Sequence, residues 1–85
     1  MRLVMVYREA SEARLSVESF MRDFEFQTGG GKIETIDPDT RAGAAFCRSY
    51  DIVEYPTLVA LGPDGTPLEV WRGTLPTISD ASLYR

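Results

Sequence analysis

The chain contains no histidine and a single cysteine. Those two shortages remove most of the residue sets that hold metals or activate nucleophiles. A zinc site needs several thiolate or imidazole ligands, and a Cys-His couple needs both partners. An internal disulfide cannot form. Basic residues are outnumbered as well: nine Lys and Arg against thirteen Asp and Glu leave a net charge of −4. The arginines (Arg2, Arg8, Arg14, Arg22, Arg41, Arg48, Arg72 and Arg85) are scattered rather than clustered. Nucleic acid and anionic membranes both require a basic footprint, so neither is expected as a partner. Long apolar runs are missing too. The amino-terminal run to Tyr7 is too short for a signal-peptide core, and no later run approaches a membrane span. A cytoplasmic location is the default expectation, and no cofactor is expected.

What remains is ordinary for a globular protein: 85 residues, 44% hydrophobic and 26% charged. Residues 1–85 are expected to form one small domain of marginal stability, without repeats, low-complexity segments or linkers. Leu3 to Tyr7 is rich in branched residues and reads as a strand buried on both faces. Ser11 is the expected cap of a first helix, with Glu12 in its first turn. Leu15, Val17, Phe20, Met21 and Phe24 give that helix an apolar stripe to about Gln27, where Thr28-Gly29-Gly30-Gly31 stops it. Lys32 to Asp37 alternates apolar with polar, as a half-exposed edge strand would. Asp37 is the expected cap of a second helix, with Pro38 at its first position and Ala42, Ala45, Phe46 and Tyr50 on one side. Leu58 to Leu61 is a further buried strand. Gly62-Pro63-Asp64-Gly65 turns the chain into a returning strand, Pro67 to Trp71, which Gly73 breaks. Thr77 to Tyr84 is expected to close the chain with a short helix capped by Thr77 or Ser79. The order βαβαββα implies an α/β fold whose four-stranded mixed sheet is flanked by helices.

Between the second helix and the next strand lies Tyr50-Asp51-Ile52-Val53-Glu54-Tyr55-Pro56-Thr57-Leu58. Proline cannot donate to a strand ladder and belongs at strand starts or edges, and an aromatic before it favours a cis peptide bond. This Tyr-x-Ile-x-x-Tyr-Pro-Thr-Leu corner resembles the thioredoxin superfamily. Ile33 to Asp39, Pro63-Asp64-Gly65 and Trp71-Arg72-Gly73 extend the resemblance over Leu3 to about Pro76. It implies a minimal thioredoxin-like fold in which a cis-proline precedes the third core strand and faces the redox site. In redox-active members a Cys-x-x-Cys motif sits where the first strand runs into the first helix. Distance from the strand puts its cysteines near Glu12 and Leu15, and neither residue can form a thiolate. Dithiol exchange needs a nucleophilic thiolate and a resolving thiol one helical turn away, so it is excluded.

Each candidate site has a plainer reading beside it. Glu12 stands where the family keeps its anionic thiolate, but acidic residues suit a first helical turn on dipole grounds alone. Cys47 is the only thiol; on the second helix it reads as a buried filler, with Arg48 pointing about 100° away. Tyr55, Pro56 and Thr57 carry a binding role by resemblance, because backbone beside the cis-proline pairs with an extended peptide in that family. The plainer reading is that the proline sets loop geometry. Gly29 to Gly31 follow a helix and precede a strand, the reverse of a phosphate loop. Trp71 and Tyr84 on the last elements could mark a contact surface, but the leading expectation is that Trp71 covers the core under the final helix. The leading expectation is a redox-inactive module that binds a protein or peptide at the Tyr55-Pro56 corner or at the Ile33–Ile36 edge. The alternatives are a single redox or sensing thiol at Cys47 and a homodimer paired through the edge strand.

Overall fold

Four of the five residues of β1 (Arg2–Val6) are buried, which places this strand inside a sheet covered on both faces. The computed structural model describes residues 1–84. After β1 come α1 (Arg14–Gln27), β2 (Glu34–Ile36), α2 (Arg41–Tyr50), β3 (Thr57–Leu61), β4 (Pro67–Arg72) and α3 (Ile78–Ser82). The sheet order is β2-β1-β3-β4, with β1 parallel to β2 and antiparallel to β3, and β3 antiparallel to β4. This is the expected βαβαββα order and mixed sheet.

All five β3 residues are buried, so both of its faces need cover. Period-2 alternation divides the core accordingly. Leu3, Met5, Tyr7, Leu58 and Ala60 meet Val17 and Phe24 of α1 and Ala81 of α3. Val4, Val6, Val59 and Leu61 meet Cys47 of α2 and Ile52 on the other face. Trp71 packs into the α1 face, its ring edge-on to Tyr84 at 5.7 Å, as expected for a residue covering the core. β2 is shorter than the alternation implied, and Ile33 and Ile36 pack on opposite faces of the sheet.

The start of α1 differs from expectation. Ser11 does not cap it; its hydroxyl donates to the Arg8 carbonyl at 2.6 Å and closes a turn before the helix. Ala13 is the cap residue, without a side-chain bond, and no acidic residue occupies the first turn. Glu12 therefore lies in the preceding turn, exposed, so its dipole rationale fails. Leu15 is 69% exposed rather than core. It sits two residues before Val17, roughly 200° around the helix from the buried stripe. At the other end Thr28 follows the last helical residue, and Gly29 and Gly30 at positive φ end the helix as expected.

The cap of α2 is Thr40, not Asp37: its hydroxyl accepts from the Gly43 N–H at 3.0 Å. Asp37 instead accepts from the Asp39 N–H at 2.9 Å, shaping the turn that precedes the helix. The buried stripe runs through Gly43 and Cys47, flanked by Phe46 and Tyr50, while Ala42 and Ala45 are exposed. Gly43 is buried because the helix passes tightly over the Asp37 carbonyl, where a Cβ would collide. The Tyr50 hydroxyl donates to the Gly65 carbonyl at 2.8 Å, tying the end of α2 to the β3–β4 turn. Thr77 caps α3 by accepting from the Asp80 N–H at 3.1 Å.

Replacing Gly43 by Ala in an open helix would gain about 1 kcal/mol of propensity. Here the Asp37 collision reverses the sign, and we expect Gly43→Ala to cost about 1–3 kcal/mol. Urea unfolding should show a lower midpoint at unchanged slope. A midpoint equal to or above the parent's would mean that the turn yields freely.

Candidate functional site

The strand directions gather the connections at one end of the sheet. β1, β2 and β4 finish there and β3 begins there, so residues 7–13, 37–40, 51–56 and 73–77 meet. In open α/β sheets the crevice beyond the carboxyl ends of the parallel strands is where ligands collect. The Tyr55–Pro56 corner lies in the middle of this end, and its peptide bond is cis.

The corner is held from several sides. Thr57, fully buried, donates its hydroxyl to the Glu54 carbonyl at 2.6 Å and accepts from the Gly73 N–H at 3.3 Å. The Arg72 guanidinium donates to the Asp51 carbonyl at 2.7 Å. The Arg8 guanidinium lies over the Tyr55 ring, 4.8 Å from its centroid, while its Nε donates to both Asp39 carboxylate oxygens at 3.1 and 3.2 Å. Arg8 over the ring and Asp39 behind it, from two other connections, thus restrain the Tyr55 ring. The Val6–Ile36 pairing leads Arg8 and Asp39 off the ends of adjacent parallel strands. That adjacency was the signal in the sequence for a pair that residue-by-residue reading passes over.

Bracing leaves the main chain of Tyr55 unpaired. Among the described residues, neither its N–H nor its carbonyl makes a hydrogen bond. Beside it lies a shallow groove of about 550 Å³, lined by Pro38, Ala44, Cys47, Arg48, Asp51, Ile52, Val53 and Tyr55. Val53 is 77% exposed there.

Cys47 reaches the groove wall but is only 7% exposed, with its side chain in the α2-side core. Burial first, and then the neighbouring Cys47, push the Tyr55 phenol above the ordinary tyrosine range, with Arg8 opposing. Burial raises Tyr7 in the same direction. Glu12 stays apart: no hydrogen bond or ion pair joins it to Tyr55, Pro56, Thr57 or Cys47 among the described residues. No group of His, Cys, Asp and Glu among the described residues could hold a metal ion. None of the described helices is long and apolar enough to cross a membrane.

The sheet edges offer less than the corner. The Tyr7 N–H donates to the Ile36 carbonyl at 3.2 Å, so Ile36 faces β1 and the alternate residue, Thr35, faces outward. One residue of β2 is a short template. On β4 the Val70 N–H is taken by the Glu69 carboxylate at 3.0 Å, which blunts that edge.

No family model matches the sequence, and no curated protein matches it. Among solved structures, thioredoxin 1 from the thermophilic eubacterium Thermosipho africanus TCF52B superposes with a TM-score of 0.70. The match covers 99% of this chain and 89% of that one at 12% identity. The fold is thioredoxin-like. With one cysteine, dithiol oxidoreductase chemistry is excluded.

Two measurements follow from the burial of this end. Alkylation of Cys47 should be protected in the folded protein and rapid once it unfolds; fast labelling of the native state with a low midpoint would restore a reactive thiol. Tyr7 and Tyr55 hold their protons more tightly folded than unfolded. Their contribution to stability is complete below the ordinary tyrosine value near 10 and is lost as pH climbs through the folded values. Ultraviolet titration of tyrosinate should show a late-ionising fraction that Tyr55→Phe reduces.

Proposed function

We propose that this thioredoxin-like chain is a redox-inactive binding module that takes an extended protein or peptide segment at the Tyr55–Pro56 corner. The observation that carries the reading is the unpaired main chain of Tyr55 within a braced surround. A segment laid alongside in extended form would satisfy that N–H and carbonyl, with a side chain over the neighbouring groove supplying selectivity. Bracing matters because a receptor already ordered loses less entropy on binding. The edges are weaker candidates on the same physical ground, β2 for its length and β4 for the Glu69 cap. The single-thiol alternative asks Cys47 to act from a buried position without a charged partner directed at it.

Amide NMR shifts on adding extended peptides test the reading. Perturbations should centre on residues 53–57 and spread to Arg8 and Gly73. Shifts confined to the opposite end, around Gly62 to Thr66, would sink it.

A further inference from the structure

We infer that the corner selects extended segments carrying Lys or Arg beside an apolar side chain, an inference that rests on the corner reading above. The charges at this end are unequally committed. Arg8 is engaged by Asp39 and Tyr55, Arg14 pairs with Glu18 at 3.7 Å, and Arg72 donates to the Asp51 carbonyl. Asp37 accepts from the N–H groups of Glu9 and Asp39, and Asp39 accepts from Arg8. The Glu54 carboxylate has no hydrogen-bond or ion-pair partner among the described residues, nor do those of Glu9 and Glu12. Among the described residues, Arg41 at the start of α2 and Arg48 beside the groove are cations of this end without an ion-pair partner.

Position gives those carboxylates their weight. Glu54 directly precedes Tyr55, and its side chain lies along Gly73, where an added Cβ would come within 2.6 Å of its carboxylate. Glu9 follows Arg8, whose guanidinium covers the Tyr55 ring. The partnerless charges adjacent in sequence to Tyr55 and to Arg8 are thus the carboxylates of Glu54 and Glu9, whereas the partnerless Arg48 lies on the groove together with Asp51. Arg48 and Asp51 line the groove with opposite charges, beside the apolar Pro38, Ala44, Ile52 and Val53. An extended chain projects alternate side chains to opposite sides. One apolar side chain can then sit over the groove while its basic neighbours reach Glu54 and Glu9.

Fluorescence anisotropy with three labelled peptides of equal length tests this, their sequences alternating Lys-Val, Ser-Val and Glu-Val. At low salt the Lys-Val peptide should bind about tenfold more tightly than the Glu-Val peptide. The gap should close as ionic strength rises to about 1 M. Glu54→Lys, checked for folding by circular dichroism, should erase the gap. Asp23→Lys, the same charge change on the exposed side of α1, should leave it in place. Equal binding of all three peptides overturns the selectivity and leaves the corner reading standing. No binding by any of them overturns the corner reading itself. Equal loss of the gap in both variants reduces the effect to net charge and overturns the role of Glu54.

Discussion

Burial of β3 on both faces is the constraint from which the rest of the architecture follows. A strand with no solvent-facing side must be covered by helices above and below, and the chain supplies α1 with α3 on one face and α2 on the other. It must also be reached without leaving main-chain donors stranded. Proline at position 56 removes one donor just outside the strand, and Thr57 spends its hydroxyl on the Glu54 carbonyl and the Gly73 N–H. The polar side chain at the buried start of β3 thus has its bonds made, and the connection before it is shaped by the same bonds.

The Arg8–Asp39 pair serves this end by position more than by energy. Both side chains are about half exposed, and ion pairs of that kind contribute little to stability. Their effect is geometric: Arg8 donates its Nε to Asp39 while its guanidinium covers the Tyr55 ring. Three connections that share no main-chain bond with one another among the described residues are joined through side chains. The consequence is a corner whose ring is restrained while its main chain remains free to pair.

Element order was legible because period and punctuation agree: branched runs for β1 and β3, glycines after α1, and Gly-Pro-Asp-Gly between β3 and β4. Helix starts were less legible. Ser11, Asp37 and Thr40 are all competent caps by residue type, and tertiary position chooses among them. Asp37 is drawn into the turn that its own side chain closes on Asp39, which hands the capping role to Thr40. The buried face of α2 keeps Phe46, Tyr50 and Cys47 of the expected stripe but leaves out Ala42 and Ala45, for a different reason. Its close-packed residue is Gly43, which carries no apolar signal, so Ala42 and Ala45 drew the expected stripe out of phase. Within the site, Tyr55 to Thr57 stood out as a motif, whereas Arg8, Asp39 and Glu54 became visible only through strand register and loop contact.

The connection from β1 to α1 marks the physical difference between this chain and a dithiol enzyme of similar fold. Thiol exchange asks that connection to present a thiolate at a helix amino terminus with a second thiol one turn on. Here Ser11 folds back on Arg8, the helix begins three residues later at Arg14, and no sulfur lies in the segment. What the connection contributes instead is Arg8, directed away from the helix and onto Tyr55 and Asp39. The one thiol, Cys47, lies behind the corner in the α2-side core rather than in front of it. Dithiol exchange is therefore excluded at this end of the sheet, which presents instead an unpaired main chain, a restrained ring, a groove and charge.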